Sequence, residues 1–431
     1  MPVFEETMSQ GWDDRARKGS ERACACGTNN HCLRNRRQGV SAEGIVEVAV
    51  FWILRLLGRR FQGVYSPKDV ASVLALAASR KTSTSRVCQE HERAPSEGMV
   101  RYRLRNLTLK PLLKRANMLL AEQARCLLPK RPLKIAIDYT LIPYHGKPKR
   151  QMDEVVRGKP KSGTTWFHAY ATAYTVLSGR RVTVALAFVK SSDGKLNVVK
   201  EVIRLVKDQG IEFKCLYLDR AFFTADIIRH LQVRQIQFLM PAIVRGKRKG
   251  TRALIKGRKS YTTLYTMKSS KTKATVTFPI HVVVTYSKGR QGKNRAITYL
   301  YASSSSHPPL GRVQEEYRLR FGIESSYRLL SSSRIRTSTR DPKLRVLYVA
   351  ASLLLVNAWV DKKWTNLSTT RRGPGGRTVH KDLLPYPRFL AMLQYILERK
   401  YEFILAIEVP EKRSAAGSMR GVVYELLRLE L

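Results

Sequence analysis

Two short apolar runs, "LKIAIDYT" and "FKCLYLDR", each lead to an aspartate, Asp138 in the first and Asp219 in the second. Both runs have the length and residue types of central β-strands. A carboxylate at such a position is costly to bury without a partner. Any fold that accepts this chain must therefore bring a cation or a hydrogen-bonding group to both strand ends.

The segments around these runs alternate in type. "TTWFHAYATAYTVL" and "RRVTVALAFV", joined by "SGRR", read as a hairpin. "KLNVVKEVIRLVKDQ" (195–209) has helical spacing, "FTADIIRHLQV" is a second helix and "IQFLMPA" a further strand. A polar loop is expected over 144–163. The resulting order, β-β-β-α-β-α-β, predicts a mixed α/β sheet with helices packed on it. Residues 242–300 break the alternation. There, runs such as "ATVTFPIHVVVTYS" and "AITYLYAS" are separated by basic turns, the pattern of β-hairpins.

A third carboxylate stands out in "VQEEYRLRFGIESSYRLLSSSRIR" (313–336), read as a helix over 312–332. Tyr317, Arg320 and Glu324 are spaced three and then four residues apart and share one face, whereas Glu315 projects to the opposite side. Glu315 and Glu316 are read as bystanders. The longest apolar run, "VLYVAASLLLVNAWV" (346–360), falls short of the roughly 20 residues that span a bilayer. It is expected to be a buried helix, with no membrane partner.

Residues 1–40 lack periodicity and are expected to be mostly disordered. Cys24, Cys26, His31 and Cys32 lie close together there, but their spacing matches no standard zinc pattern. Residues 41–128 read as short helices. In "SPKDVASVLALAAS", Ser66 is the N-cap, Pro67 takes the first helical position and Asp69 the first turn. The last of these helices carries Arg101, Arg103 and Arg105. It is either the reading element of a helix-turn-helix or the basic outer face of a bundle. Residues 361–431 hold the loop "RRGPGGR" and two more helical stretches.

Charge narrows the class of partner. The chain has 79 Lys+Arg against 33 Asp+Glu, a net charge of +46 over 431 residues, and the basic residues are spread along its whole length. Such a chain attracts polyanions, releasing their condensed counterions, and nucleic acid is the natural candidate. The six cysteines do not suggest a disulfide scaffold. "MPVFEETMSQ" carries no signal-peptide pattern. A cytoplasmic, nucleoid-associated location is expected.

If the first and fourth strands are neighbours and the 312–332 helix crosses them, Asp138, Asp219 and Glu324 converge. Converging carboxylates repel unless a cation neutralises them. Oxygen-only ligation suits Mg²⁺ or Mn²⁺. Two such ions about 4 Å apart can activate a water or a 3′-hydroxyl and stabilise the leaving oxygen in phosphodiester chemistry.

These features resemble DDE-type insertion-sequence transposases, the group marked by Tyr-x2-Arg-x3-Glu-x6-Lys. Tyr317, Arg320 and Glu324 match its first three positions, and Ser331 stands where the lysine is expected. "IAIDYTLIPYHG", "KSGTTWFHAYATAY" and "LYLDRAFF" are similar to blocks of one branch of the group. The resemblance implies an RNase H-like catalytic domain over 130–360 with a β-rich insertion at 242–300; the helical residues 41–128 are expected to form a DNA-binding domain. It implies Asp138, Asp219 and Glu324 as catalytic metal ligands for two ions. Tyr317 and Arg320 would grip phosphates, with Arg328 or Arg334 replacing the missing lysine. The partners it implies are double-stranded DNA, as terminal inverted repeats and target, and a second copy in a dimeric synaptic complex. A metal-dependent nuclease without strand transfer and a catalytically decayed DNA binder are the alternatives. His145 reads as a loop histidine rather than a metal or DNA contact, His168 as structural, Trp166 as packing, and the lysine-rich turns of 245–273 as DNA-backbone contacts.

Overall fold

The computed structural model describes residues 39–58, 64–146, 153–177, 179–246, 250–270, 272–288, 294–304, 309–371 and 377–406. The chain divides into two units, Met1–Val40 and Ser41–Leu431. The expected disorder of 1–40 and the Cys24, Cys26, His31, Cys32 cluster lie outside the described residues, apart from Gly39 and Val40.

Five helices open the second unit: α1 (Ala42–Leu57), α2 (Pro67–Ser79), α3 (Thr84–Glu90), α4 (Glu97–Arg105) and α5 (Leu109–Leu127). Their starts follow the capping chemistry of the sequence. Ser41, Ser66, Ser83 and Ser96 each accept a hydrogen bond from a first-turn amide, and Ser66 with Asp69 completes a capping box. Gly58 ends α1 at φ 60°, a left-handed conformation that costs glycine little.

The sheet begins with β1 (Leu133–Pro143), β2 (Val156–Lys161), β3 (Thr164–Thr175) and β4 (Thr183–Val189). Helix α6 (Lys195–Asp208) leads to β5 (Phe213–Leu218), and α7 (Ala225–Val233) leads to β6 (Phe238–Pro241). Strand β1 lies between antiparallel β3 and parallel β5, and β5 is followed by parallel β6. Strands β2 and β4 share the outer edge of β3 in succession. The order β4-β3-β1-β5-β6 is that of an RNase H-like sheet. Strand β2 occupies part of the expected polar loop. Its residues are mostly exposed, so no apolar alternation marks it.

The insertion does not stand apart. Its strands, β7 (Tyr261–Lys268), β8 (Thr275–Lys288) and β9 (Asn294–Ser303), continue the sheet through antiparallel pairing of β9 with β6. The result is a nine-stranded sheet.

After the sheet come α8 (Val313–Arg318), a 3₁₀ turn, α9 (Gly322–Ser333) and α10 (Pro342–Asn366). Two short strands, β10 (Ser368–Thr370) and β11 (Arg377–Val379), precede α11 (Tyr386–Tyr401). Helix α10 is 25 residues long, enough by length and composition to cross a bilayer, but 78% of its apolar window is buried inside the protein. It packs on α5 and α1, while α11 packs on α1 and α2.

Two buried asparagines seal the free edge of β4. Asn117 on α5 donates to Leu186 O at 2.9 Å and accepts from Leu186 N at 2.8 Å. Asn357 on α10 does the same at Thr183, at 2.8 and 3.0 Å. An uncovered edge would leave these backbone groups unsatisfied and open to pairing with another chain.

Candidate active site

The parallel pairing of β1 with β5 ends at Ile137 opposite Leu218. The next residue on each strand is an aspartate, so Asp138 and Asp219 leave the paired region side by side. Asp138 does not close its strand. Beyond it, β1 continues to Pro143 paired with β3 alone, with Asp138 opposite Thr172. Asp219 directly follows the last residue of β5, and its carboxylate caps the short turn Arg220–Phe222 by accepting from Ala221 N.

The α8–α9 segment covers this end of the sheet. Val313, Tyr317 and Ile323 bury with Ala136, Tyr217, Leu239 and Tyr301 in one apolar cluster. Two tyrosine hydroxyls, one on each helix, set the position of the segment on the strands. Tyr317 Oη donates to Leu218 O at 3.2 Å. Tyr327 Oη donates to Asp138 O at 2.9 Å and accepts from Thr172 Oγ1 at 2.7 Å.

Arg320 sits between the two. Its Nη1 donates to Asp138 Oδ2 at 2.8 Å and its Nη2 to Asp219 Oδ1 at 3.2 Å, and Glu324 Oε1 lies 3.6 Å from the same Nη2. Side-chain exposure rises from 5% at Arg320 through 16% at Asp138 and 35% at Asp219 to 46% at Glu324, so the cluster opens to solvent on the Glu324 side.

Burial pushes the Asp138 carboxyl up to about 6; the Arg320 charge opposes this and the Asp219 charge adds to it. Asp138 Oδ1 also accepts from the Tyr139 amide at 2.8 Å. An acidic group that stays costly to ionise despite these partners sits in a field that a further cation would relieve.

Among the described residues, no three His, Cys, Asp or Glu side chains stand close enough together to ligate a metal ion as they are. The cation shared by Asp138, Asp219 and Glu324 is the Arg320 guanidinium. The donor set itself, carboxylate oxygens around one positive centre, is of the type that Mg²⁺ and Mn²⁺ take.

Residues 129–358 match the family described as Transposase DDE domain, over more than half of the chain. The chain belongs to this family. The matched span holds all nine strands of the sheet and the three converging carboxylates. Among solved structures, the chain is similar to a cryo-EM structure of a piggyBac transposase synaptic complex with hairpin DNA. That match has 13% identity and a TM-score of 0.47, and covers 86% of this chain and 82% of that one. No curated protein matches it.

Several side chains of this transposase-family chain stand differently from expectation. Tyr317 and Arg320, expected at DNA phosphates, are both 4% exposed and face the sheet. Burial of Arg320 is tolerated because carboxylates surround it, and Tyr317 is held by a strand carbonyl. Glu316 is no bystander: its Oε2 accepts from Tyr217 Oη at 2.8 Å and pairs with Lys134 Nζ. Arg328 and Ser331 are exposed on α9, and Arg334, just past its end, is half-buried. On α4, Arg101 and Arg105 are exposed and Arg103 is half-buried. His145 is exposed, His168 is buried against the Tyr144 ring, and Trp166 lies 5.9 Å from the Arg157 guanidinium. Tyr327 was not singled out from the sequence. Its signal was present, since it lies three residues beyond Glu324 on the face already carrying Tyr317 and Arg320.

Proposed function

We propose that this chain is a DNA transposase that cuts at the ends of an insertion sequence and joins the freed 3′-hydroxyl to target DNA. The convergence of Asp138, Asp219 and Glu324 on one cation carries this reading, with the family membership behind it. Two Mg²⁺ or Mn²⁺ ions held by these carboxylates would supply Lewis acidity toward a water or 3′-hydroxyl and charge stabilisation at the leaving oxygen.

The chain's own residues prepare that chemistry. Tyr317 on α8 and Tyr327 on α9 pin the segment carrying Glu324 over the strand positions next to Asp219 and at Asp138. Arg320 offsets the mutual repulsion of the carboxylates, which otherwise opposes their approach. The phosphodiester enters from the Glu324 side, where the cluster is open. Arg328, with Arg101, Arg103 and Arg105 on α4, contacts the DNA backbone, each as a charge-assisted hydrogen-bond donor. Two copies assemble with the paired ends, and the work takes place on cytoplasmic, nucleoid DNA.

Product analysis tests the reading. The full chain is incubated with Mg²⁺, DNA carrying the sequences that flank its gene, and a target plasmid. A joined donor–target molecule supports transposition. Cleaved ends without joining identify a nuclease, and salt-sensitive binding without cleavage identifies a non-catalytic binder; either result overturns the proposal.

A further inference from the structure

Beyond the acidic cluster, β1 and the segment after α9 enclose a cavity of about 770 Å³. Its lining includes Arg334, Arg336, Arg340 and Arg345, together with Tyr144 and Tyr170, and among the described residues no aspartate or glutamate. Arg345 is 9% exposed; its Nε is held by Thr339 O at 2.7 Å, and its guanidinium lies 5.9 Å from the Tyr144 ring. Tyr144 and Tyr170 are 4% and 0% exposed, and neither hydroxyl has a hydrogen-bond partner among the described residues. Buried hydroxyls are rarely left unsatisfied, and a cluster of four guanidinium groups, Arg345 buried, Arg334 half-buried and Arg336 and Arg340 exposed, repels itself without an anion. Burial lowers the pKa of Arg334 and of Arg345; Tyr170 opposes this in both, and in Arg334 the charges of Arg345 and Arg336 add to it. Every one of these features is relieved by an anion with several acceptor oxygens.

The place of the cavity suggests which anion. From Asp138 to Ile142, which lines it, β1 advances about 13 Å. From Glu324 to Arg334, α9 and its end advance about 15 Å. The same two elements thus carry both the acidic cluster and the cationic cavity.

We propose that this cavity is a phosphodiester-binding subsite, which holds a backbone phosphate of the DNA strand whose reacting phosphate lies at the acidic cluster. The Arg334 and Arg345 guanidinium groups pair with the non-bridging oxygens, and the Tyr144 and Tyr170 hydroxyls donate to them. The subsite rests on the transposase reading and adds a second fixed point on the strand, one that sets its register relative to Asp138 and Glu324.

The test pairs protein variants with DNA in which single phosphates are replaced by neutral methylphosphonates, read by fluorescence anisotropy on the full chain. Arg334→Gln and Arg345→Gln are each expected to weaken binding roughly tenfold at about 0.1 M salt and to make the salt slope shallower by about one. Tyr170→Phe, which leaves the packing of the ring intact, weakens binding without changing the slope. At one backbone position, the methylphosphonate weakens wild-type binding by a similar factor and has no further effect in Arg334→Gln. Asp138→Asn keeps that coupling. Variants that melt like wild type yet bind DNA with its affinity and slope overturn the subsite, as does the absence of coupling at every position. If inorganic phosphate raises the melting temperature of wild type but not of Arg334→Gln, while DNA binding is equal in both, the cavity serves a free anion and the proposal fails. Stronger coupling with an RNA strand than with DNA overturns it too. If wild type binds no DNA, the transposase reading itself falls; DNA binding without coupling removes the subsite alone.

Discussion

Asp138 and Arg320 are 182 residues apart in the chain and 2.8 Å apart in space, in a pocket where the arginine side chain is 5% exposed. The pair does not fully compensate its own burial, because the Asp138 carboxyl is still pushed up to about 6 from 3.8. A proton therefore binds the folded chain more tightly than the unfolded one. The stabilisation this brings is complete below about pH 3.8 and is lost as pH rises through about 6. At neutral pH the ionised carboxylate is a net cost.

Asp138→Asn is therefore expected to stabilise the metal-free protein at pH 7.5 by about 1–3 kcal/mol while abolishing cleavage. The gain should shrink toward pH 4. Denaturant titrations of both proteins across this range measure it. A variant less stable than wild type at pH 7.5 contradicts the electrostatic account of the site.

Arg320→Gln removes the cation that, among the described residues, Asp138, Asp219 and Glu324 share. Discounted for the solvent that reaches Asp219 and Glu324, the metal-free chain should lose about 2–4 kcal/mol. Added Mn²⁺ should raise the melting temperature of the variant more than that of wild type, because no guanidinium then competes for the carboxylates. Equal shifts in the two proteins argue that the guanidinium and the divalent ions occupy separate places.

Asn357→Leu leaves the Thr183 backbone N–H and C=O without the partners they have at 3.0 and 2.8 Å. Chemical denaturation should show a loss of about 2–4 kcal/mol. Edge exposure should also raise the tendency to aggregate, which light scattering reads. A neutral substitution would mean that the β4 edge finds other partners.

The frame of the site was legible in the sequence because it depends on local pattern. Apolar runs ending at Asp138 and Asp219 marked β1 and β5 as central strands, and a spacing of three and four placed Tyr317, Arg320 and Glu324 on one face. The direction of that face was not legible. A charged helix face ordinarily points to water, and Arg320 turns inward only because carboxylates from distant strands meet it there. The same reason hides Glu316, whose partners Lys134 and Tyr217 lie on β1 and β5. The β4 seal was invisible for a related cause, since Asn117 and Asn357 look like ordinary polar residues until an edge strand is laid beside them. The continuation of β1 past Asp138 rests on pairing with β3 alone; Tyr139, Thr140 and Ile142 are strand formers, but the aspartate before them reads as a strand end.

The central claim is that Asp138, Asp219 and Glu324 act as one divalent-metal site on DNA. It is tested most directly by Asp219→Asn in a cleavage and strand-transfer assay with Mg²⁺, run beside a DNA-binding measurement on the same preparation. The account predicts DNA affinity close to wild type and cleavage reduced at least about a thousandfold, the scale on which removal of a main catalytic group is felt. Cleavage at the wild-type rate with unaltered Mg²⁺ dependence would contradict it.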